Sequence, residues 1–388
     1  MEERIRVGVI GAGFIGPAHI EALRRLGFVD VVALATSGEE TAAGKAKALS
    51  IPHHYGNYMD LINSDVDVVQ ITSPNYLHFP QARAALEAGK HVVCDKPLVM
   101  SSKESKTLVE LARKKKLVNA VTFNHRFYPL VQQSRALVQQ GRLGNVFFIQ
   151  GGFHQDWLLY DTDYNWRVET KRGGAARAVG DIGTHWLDTV QYVTGLKVKE
   201  VFADLRTLIP VRKKPKAAVQ TFAGKELKPS DYDEVSVDTE DLAIAMLRFI
   251  DSDARGVMTV SQVSAGRKCR LMYEIFGTGG GIEWDSEKPN QLWLGFRDKP
   301  NEILIKDPAL LDPAAKPSAR YPGGHGEGFP DSHTHCERTI YEYIREEKYK
   351  KGIEPDFPTF QDGHEEQLLC EAILESNKKG RWITIDYT

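Results

Sequence analysis

The chain has 388 residues, of which 42% are hydrophobic and 26% are charged, and its formal net charge is −2. This length indicates two or three domains with sizeable cores. The nearly neutral charge excludes a strongly basic surface for nucleic acid or an anionic membrane, and no apolar run in the sequence is long enough to cross a bilayer. The first predicted strand starts at Ile5, which leaves no room for a signal peptide. Four cysteines without paired spacing are typical of a reducing compartment, so we expect a cytoplasmic protein.

Strands and helices alternate from Ile5 to Phe123, which predicts an α/β Rossmann domain with a doubly wound parallel sheet. The predicted strands are Ile5–Ile10, Val31–Ala35, His54–Tyr55, Val68–Thr72, His91–Cys94 and Val118–Thr122. The predicted helices are Phe14–Leu26, Glu39–Leu49, Tyr58–Asn63, Leu77–Ala88 and Ser102–Lys115. Ligands of such sheets bind beyond the carboxyl ends of the strands, so the loops after the strands are the candidate binding segments.

The first strand runs directly into a glycine-rich turn, Gly11-Ala12-Gly13-Phe14-Ile15-Gly16, and a helical pattern follows it. A G-x-G-x-x-G turn between a strand and a helix is the context in which dinucleotides bind. Gly11 allows the tight turn, Gly13 allows a pyrophosphate to approach, and Gly16 allows close packing of helix on strand. We therefore predict a dinucleotide site with its phosphates at the start of this helix.

The ribose of the cofactor is expected to bind at the end of the second strand, Ala35-Thr36-Ser37-Gly38-Glu39. A carboxylate at the strand tip would bond the 2′-hydroxyl of NAD, and an adjacent arginine would accommodate the 2′-phosphate of NADP. The sequence has neither, although Thr36 and Ser37 could hydrogen-bond either cofactor. The choice between NAD and NADP therefore stays open. Further cofactor contacts are predicted in the later loops, at Ser73, Pro74, Asn75, His78, Asp95 and Lys96.

Beyond Phe123 the pattern predicts a second domain of a different class. A helix (Tyr128–Gly141), a strand (Val146–Phe153), a polar loop and a helix (Ile182–Val193) are followed by many strands without intervening helices. Those strands are predicted at Val198–Leu208, Leu242–Ile250, Gly256–Ser264, Leu271–Phe276, Gly281–Trp284, Leu292–Leu294 and Glu302–Ile305. Such a run predicts an α+β domain with a large, mainly antiparallel open sheet.

The predicted domain boundaries are residues 1–123 for the dinucleotide-binding domain and 124–388 for the α+β domain. Two late helices, Ser332–Arg345 and Asp362–Lys378, complete the second domain, and the last one is expected to pack back on the first. The proline-rich stretches Pro210–Pro229 and Pro308–Pro322 are predicted as loops or as excursions from the sheet.

Asp95-Lys96-Pro97 follows an apolar strand and is the first candidate for chemistry. A lysine there projects from the carboxyl edge of the sheet, where its ammonium could stabilise negative charge on a substrate oxygen during reduction of a carbonyl. The alternative interpretation is an ordinary surface lysine at the end of a strand.

Gly180-Asp181-Ile182-Gly183-Thr184-His185 is the second candidate. Asp181 and His185 are four residues apart, so on a helix they share one face. An imidazole can accept the hydroxyl proton as hydride leaves the carbon, and the carboxylate can orient it. In the alternative interpretation Asp181 caps the helix and His185 is satisfied in the core.

Together these motifs resemble the Gfo/Idh/MocA oxidoreductase family over essentially the whole chain. The glycine turn with Pro17-Ala18-His19 matches its N-terminal fingerprint, Asp95-Lys96-Pro97 stands for its Glu-Lys-Pro signature, and Gly180–His185 matches its G-D-x-G-x-H signature. The resemblance implies that Lys96 and His185 are catalytic and that Asp181 contacts the substrate or the histidine. It also implies that Lys96–Pro97 is a candidate cis bond, and that the open sheet forms a dimer or tetramer interface.

Weaker candidates for substrate binding are Asn124 and Arg126 at the domain junction, and Trp166 and Arg167 in the polar loop. An aromatic ring and a guanidinium suit a sugar ring and its hydroxyls, although the loop could equally be anchored by its own aromatics. No metal site is predicted, because the three candidate ligands His333, His335 and Cys336 lie on a helical pattern without a fourth ligand at proper spacing. His19 is expected to be structural.

The sequence thus predicts a reversible NAD(P)-dependent dehydrogenase acting on a secondary alcohol of a sugar, a sugar derivative or an inositol. Its expected partners are a small-molecule substrate and further copies of itself, in a homodimer or homotetramer, with neither nucleic acid nor membrane. One alternative is a glycoside hydrolase that oxidises its substrate only transiently with bound NAD. The other is a catalytically silent, nucleotide-dependent sensor.

Overall fold

The structure is a computed structural model that describes residues 4–216 and 231–388. Its contacts divide the chain into two units, Met1–Phe127 with Phe329–Gln367 and Tyr128–Gly328 with Leu368–Thr388. The observed boundary lies four residues from the predicted one at 123/124. Residues 329–367, which the sequence pattern placed in the second domain, group with the first unit because their helix packs on its core.

The first unit is built on a six-stranded parallel sheet whose spatial order is β3-β2-β1-β4-β5-β6. Its strands are β1 (Ile5–Ile10), β2 (Val29–Ala35), β3 (His53–Tyr55), β4 (Val68–Ile71), β5 (His91–Cys94) and β6 (Asn119–Val121). Both faces of this sheet carry buried apolar side chains, which form two core clusters. The predicted Rossmann fold is therefore confirmed, with strand positions close to those read from the sequence.

Helices cover both faces of the parallel sheet. They are α1 (Gly16–Arg24), α2 (Glu39–Ala48), α3 (Tyr58–Ile62), α4 (His78–Glu87), α5 (Ser102–Lys115) and, from late in the chain, α9 (Phe329–Arg345) and the start of α10 (Phe360–Lys379). Helix α5 shows the local reasons for its limits. Its first turn is capped by Ser101, whose hydroxyl accepts from the amide of Glu104 at 3.3 Å, and it ends at Lys116 in the left-handed conformation.

The second unit is built on a nine-stranded sheet in the order β16-β15-β14-β13-β7-β12-β11-β8-β17. All neighbouring strands of this sheet are antiparallel except the β7–β12 pair, which confirms the predicted mainly antiparallel sheet. The strands are β7 (Val146–His154), β8 (Val198–Arg206), β11 (Leu242–Phe249), β12 (Ser252–Ser261), β13 (Arg270–Gly277), β14 (Gly280–Asp285), β15 (Gln291–Gly295), β16 (Glu302–Ile305) and β17 (Ile383–Thr384).

One face of this sheet is covered by helices α6 (Pro129–Gln139) and α8 (Thr184–Thr194) and by the end of α10, around a large apolar core. A short helix, α7 (Thr170–Gly173), lies in the polar loop. The stretch Pro210–Pro229, predicted as a loop or an excursion from the sheet, begins with a strand of a separate ribbon. In this ribbon β9 (Val211–Pro215) pairs with β10 (Tyr232–Ser236), and residues 217–230 lie outside the described part. Pro210 and Pro215 at the two ends of β9 favoured a loop in the sequence pattern. Proline is nevertheless tolerated on an edge strand, and both strands of a two-stranded ribbon are edge strands.

No helix in the described ranges is both long enough and apolar enough to cross a membrane.

Candidate active site

The glycine turn predicted to hold a dinucleotide lies between β1 and α1. Gly11 has a φ of +100°, and its amide donates a 2.9 Å hydrogen bond to the carbonyl of Ala35 at the end of β2. A Cβ at Gly11 would lie 2.8 Å from the backbone nitrogen of Ser73, and a Cβ at Gly16 would lie 2.6 Å from the carbonyl oxygen of Gly11. A Cβ at Gly13 would meet nothing within 4 Å. Gly13 therefore opens onto free space, while its two companions permit close backbone packing.

The start of α1 faces this turn and suits an anion. Ile15 precedes the helix and makes no capping hydrogen bond with its side chain, and the first turn carries no acidic residue. The neighbouring Phe14 is 61% exposed. Amides at a helix N-terminus and the positive end of the helix dipole bind phosphate. The turn thus fits the pyrophosphate of a dinucleotide, with room at Gly13 and the positive end of the α1 dipole beside it.

The predicted ribose segment lies between β2 and α2. The hydroxyl of Thr36 donates to the carbonyl of Gly38 at 3.2 Å, and Ser37 is exposed. Oε2 of Glu39 accepts from the amide of Gly56 at 2.7 Å, and its Oε1 lies 3.2 Å from a ring nitrogen of the neighbouring histidine in β3. A carboxylate with partners for both of its oxygens therefore stands at the first residue of α2, four residues after the end of β2.

A buried histidine joins the loops after β4 and β5. Nδ1 of His78 lies 2.9 Å from the carbonyl oxygen of Pro97, and Nε2 lies 2.8 Å from the carbonyl oxygen of Ser73. The hydroxyl of Ser73 donates to Gln81 at 2.6 Å, while Pro74 precedes the 3-10 turn that starts at Asn75. Because His78 is only 1% exposed, its ring nitrogens serve the main chain of two loops. The sequence suggested this histidine as a cofactor contact and did not indicate that bridging position.

The Asp95-Lys96-Pro97 segment follows β5, with Lys96 half-buried and the Lys96–Pro97 peptide bond cis. Oδ1 of Asp95 accepts from the hydroxyl of Thr122 at 2.9 Å and lies 3.7 Å from Nε2 of His19. Burial would raise the pKa of Asp95, but the interactions with His19 and the charge on Lys96 hold it below its usual range. Asp95 is therefore ionised beside the candidate catalytic lysine.

His19, expected to be structural, lies in a buried charged cluster. Its Nδ1 is 2.8 Å from Oε1 of Glu337, and Gln70 donates to the same oxygen at 2.8 Å. Burial lowers the pKa of His19, but the carboxylates of Asp95 and Glu337 raise it to about 9, so the ring is cationic at neutral pH. The ring of His333 packs edge-on against it at 4.9 Å, and burial together with the charge on His19 lowers the pKa of His333 well below its usual value.

The segment after β6 holds two of the predicted substrate contacts. The amide of Asn124 donates to a serine hydroxyl of α9 at 2.8 Å and is 2% exposed, and Arg126 forms a 2.8 Å ion pair with an aspartate of α10. His125 lies between these two residues in the chain. Burial and the charge on Lys96 lower the pKa of His125 to about 3, so its ring is neutral. Asn124 and Arg126 thus tie late helices to the parallel sheet, and their contact with substrate stays a prediction.

In the second unit, the Gly180–His185 motif does not form one continuous α-helix. Residues Val179–Gly183 form a π-helical turn, and α8 begins at Thr184. The predicted helix Ile182–Val193 is thus found at Thr184–Thr194, directly after the π-turn, and the shared face of Asp181 and His185 stays a prediction. The amide of Asp181 donates to the carbonyl of Arg177 at 2.7 Å, and π-turns of this kind are frequent at functional sites.

Both oxygens of the Asp181 carboxylate have partners in the second unit. Gln262 donates to Oδ2 at 2.8 Å, and Nε of Arg167 lies 3.3 Å from Oδ1. The guanidinium of Arg167 also stacks over the ring of Trp166, with 4.5 Å to its centroid. The structure therefore brings Asp181 together with Arg167 and Trp166, a pair that the sequence predicted in a different segment.

A buried ionic network of Arg177, Arg212 and Asp241 adjoins Gln262, the partner of Asp181. Arg177 and Arg212 both bond Oδ1 of Asp241, with 2.7 Å for Arg212, and all three side chains are fully buried. Arg177 also donates to Gln262 at 3.2 Å. Oε1 of Glu240 accepts from the amides at the start of the π-turn at 2.8 and 2.9 Å, and burial raises the pKa of this carboxyl. The network holds the segment that carries Asp181.

Arg212 extends the network to the polar loop that carries Trp166 and Arg167. Its guanidinium donates to the main-chain carbonyls of Leu158, Tyr160 and Asp163 at 3.0, 3.1 and 2.9 Å. An arginine with five donors can satisfy several carbonyls at once, which fixes an otherwise irregular segment. The sequence analysis treated the neighbourhood of Arg212 as a surface loop, and this side chain is instead buried.

His185, the predicted base, lies in the first turn of α8 and is 6% exposed. Its ring lies 6.0 Å from that of Phe153 in β7, in a tilted arrangement. Lys96 belongs to the first unit, whereas Asp181 and His185 belong to the second.

A Rossmann sheet with a dinucleotide-type glycine turn, followed by an α+β domain with an aspartate and a histidine at a helix start, defines an NAD-binding oxidoreductase. Residues 5–123 match the oxidoreductase family with an NAD-binding Rossmann fold, and residues 131–283 match the GFO/IDH/MocA C-terminal domain. The chain belongs to the Gfo/Idh/MocA oxidoreductase family, as its motifs predicted.

Relatives similar to this chain over its whole length include dehydrogenases. A levoglucosan dehydrogenase from Pseudarthrobacter phenanthrenivorans is 29% identical over 396 residues, which cover 99% of this chain and 98% of the relative. A solved levoglucosan dehydrogenase complex with NADH and L-sorbose is 28% identical, covers 99% of both chains and has a TM-score of 0.89. An inositol dehydrogenase homologue from Azotobacter vinelandii, solved with NAD+, shares the fold at 24% identity, with coverage of 98% and 97% and a TM-score of 0.85.

Proposed function

We propose that this chain is a reversible dehydrogenase that oxidises a secondary alcohol of a sugar, a sugar derivative or a cyclitol. The observation that carries the proposal is the end-to-end structural similarity to a levoglucosan dehydrogenase that binds NADH and L-sorbose. Lys96 after β5 and the Asp181 and His185 pair at α8 supply the functional groups that such a reaction needs. The glycine turn, with free space at Gly13, is the proposed binding site for the cofactor pyrophosphate.

Each of the three side chains has a defined task in this proposal. The bound nicotinamide supplies hydride chemistry. The Lys96 ammonium donates a hydrogen bond to the reacting oxygen and stabilises negative charge that develops on it. The His185 imidazole accepts the proton of the same hydroxyl during oxidation and returns it during reduction. Asp181, fixed by Gln262 and Arg167, orients the substrate or the histidine.

Trp166 and Arg167 are proposed to recognise the ring of the substrate. Their stacked arrangement leaves an aromatic face and a guanidinium in one place, and both are only partly buried. A guanidinium has five donors in a fixed geometry, which suits neighbouring hydroxyls of a sugar or an inositol. The ion pair with Asp181 supports a common role, because a ligand bound by Arg167 would lie near that carboxylate.

We further propose NAD rather than NADP as the cofactor. Residues 36–40 contain no lysine or arginine, and the carboxylate of Glu39, the first residue of α2, accepts from the amide of Gly56. A fixed carboxylate repels a 2′-phosphate and can accept from a 2′-hydroxyl. We expect kcat/KM for NAD to exceed that for NADP by roughly tenfold or more. Comparable values for the two cofactors would contradict this assignment.

The partner proposed for the open sheet is a second copy of this chain. On the face away from the helices, Ile244 and Met246 of β11 are 44% and 42% exposed, and Phe202 and Val257 pair beside Met246. A contiguous apolar patch of this kind is typical of an interface. We expect M246R to reduce the oligomer in light scattering, whereas L310R, at an exposed leucine outside the sheet, should not. An unchanged assembly in M246R would contradict the proposed interface.

The test of the activity is a panel of sugars and inositols offered with NAD and with NADP, followed by nicotinamide absorbance. The proposal predicts net formation of reduced cofactor with at least one polyol, and consumption of it with the matching ketone. Glycoside cleavage without net reduction would favour a hydrolase that uses NAD transiently. Cofactor binding without turnover of any polyol would favour a sensor. A cytoplasmic location also stays a proposal, based on the spacing of the cysteines.

A further inference from the structure

Asp95 and Pro97 flank Lys96 in the chain, and a buried histidine contacts each of them. On one side, Nε2 of His19 faces Oδ1 of Asp95 at 3.7 Å. On the other side, Nδ1 of His78 lies 2.9 Å from the carbonyl oxygen of Pro97. We propose that His19 and His78 are positioning residues for Lys96, each holding the residue that adjoins the lysine. This inference rests on the proposed role of Lys96 in oxidising a substrate hydroxyl.

The His78 contact acts on the backbone. The carbonyl oxygens of Pro97 and Ser73 are acceptors only, so the ring must donate at each contact that is a hydrogen bond. With 1% exposure, His78 leaves no room for water to replace it, and a buried carbonyl that loses its donor is unfavourable. The ring therefore ties the residue after Lys96 to the loop after β4, which is in turn bonded to α4 through Gln81.

The His19 contact acts through charge. The groups that face His19 are Asp95 after β5, Gln70 in β4, and Glu337 and His333 in α9, with Lys96 nearby. A cation between two buried carboxylates offsets their mutual repulsion and keeps both in place. The hydroxyl of Thr122 donates to the Asp95 carboxylate at 2.9 Å. The backbone amide of Asp95 donates to the carbonyl of Ile71 at 2.8 Å. The residue before Lys96 is thus fixed at both its backbone and its side chain.

Such anchoring matters because lysine is long and flexible. The ammonium stands at the end of a four-carbon stem, so the backbone on either side decides where it can reach. A displacement of about 1 Å in a reacting group can reduce a rate by about 100-fold. A shift in the backbone at Asp95 or Pro97 would therefore lower kcat without removing any group that binds the cofactor phosphates.

Paired amide substitutions separate the contacts of each ring. The amide nitrogen of asparagine stands as many bonds from Cα as Nδ1 of histidine, and that of glutamine as many as Nε2. His78→Asn therefore keeps a donor for Pro97, while His78→Gln keeps a donor for Ser73 only. We expect His78→Phe and His78→Gln to lower kcat by about 100-fold, with His78→Asn recovering most of that loss and the KM for NAD within about threefold throughout.

The order reverses at His19. Neither His19→Gln nor His19→Asn keeps the positive charge, so both should lower kcat. His19→Gln keeps a donor on the side of Asp95 and should retain the higher kcat, whereas His19→Asn keeps only the donor toward Glu337. His91→Asn is the matched control, because His91 accepts from the amide of Val118 at 3.0 Å in the same sheet. Its kcat should equal that of the wild type. Equal losses in the two amide variants of either histidine, or a kcat that falls only in step with the folded fraction, would overturn the proposal.

Hydrogen exchange provides a readout that needs no turnover. In His78→Gln the peptide containing Lys96 should exchange faster than in the wild type, and in His78→Asn it should not. Unchanged exchange in His78→Gln would overturn the positioning role even if activity fell. If the wild-type chain oxidised no polyol, the dehydrogenase assignment would fail, while the exchange experiment would still decide whether the histidines hold this segment.

Discussion

The side-chain amide of Gln262 donates a 2.8 Å hydrogen bond to Oδ2 of Asp181 and accepts a 3.2 Å hydrogen bond from Arg177. These two contacts fix the orientation of the amide, because its donor and acceptor ends face groups of opposite character. Gln262 is fully buried at the end of β12. It therefore joins the candidate catalytic carboxylate to the ionic network formed with Asp241.

Replacing Gln262 tests that connection. Gln262→Leu should leave Asp181 without one partner and Arg177 without one acceptor, and should destabilise the fold by about 1–3 kcal/mol. Because Asp181 is no longer oriented, kcat should also fall by about tenfold or more. Urea unfolding and steady-state kinetics measure the two effects. Gln191→Leu is a control, since it loses a bond to the amide of Val198 and should reduce stability without reducing kcat.

The Arg177–Asp241–Arg212 network should be sensitive to loss of its anion. Asp241→Asn keeps the shape of the side chain but leaves two buried guanidinium groups without their carboxylate. Breaking a buried ion pair by removing one partner costs about 3–5 kcal/mol. Chemical denaturation should show a loss of that size, and residues 158–163 should become more accessible to proteases. A loss below about 1 kcal/mol would contradict the importance of this network.

His19 should make stability depend on pH in the alkaline range. Its pKa is raised from 6.5 to about 9 by Asp95 and Glu337 against the effect of burial. A raised pKa means that the folded state holds the proton more tightly, so this contribution is complete below pH 6.5 and is lost as pH rises through about 9. The stability difference between the wild type and His19→Gln should shrink by up to about 3 kcal/mol over this range. A difference that does not vary with pH would contradict the cationic assignment.

Two glycine substitutions distinguish folding from cofactor binding. Gly13→Ala adds a methyl group to open space, so its thermal stability should match the wild type while its affinity for NAD falls by at least about tenfold. Gly16→Ala places a Cβ 2.6 Å from the carbonyl oxygen of Gly11, so it should disturb the packing of α1 and lower stability. Scanning calorimetry measures the stability, and quenching of tryptophan fluorescence on addition of NAD measures the affinity. Undiminished NAD binding by Gly13→Ala would contradict the position assigned to the pyrophosphate.

Local sequence patterns were sufficient for the part of the first unit between Ile5 and Phe123, but they did not assign residues 329–367 to it. Alternating apolar runs placed β1, β5 and α5 at their observed positions, because strand and helix periodicity and a serine cap are encoded within a few residues. The glycine motif and the lysine after β5 were predictable for the same reason. The π-turn at Asp181 was not predictable in this way. The amides of Arg177 and Val179 at its start donate to the buried carboxylate of Glu240, which lies in another part of the chain.

Long-range contacts were out of reach of pattern analysis. His19 and Glu337 are 318 residues apart, and nothing within either helix indicates that they pair. The position of His19 three residues after the last glycine of the motif was the available signal, because it faces the buried side of α1. Gln262 carried no signal at all, since a glutamine after a strand is ordinary. Buried polar networks assemble only when distant segments pack, so they were found in the structure alone.

The central claim is that Lys96 and His185 act on the same hydroxyl of a bound polyol. Single-turnover reduction of NAD by the best polyol substrate tests it most directly in Lys96→Ala and His185→Ala, with Lys103→Ala as a control at an exposed lysine. The account predicts that both variants bind NAD as the wild type does while the rate of NAD reduction falls by at least about 100-fold, and that the control is unchanged. Near-normal rates in both variants would contradict it.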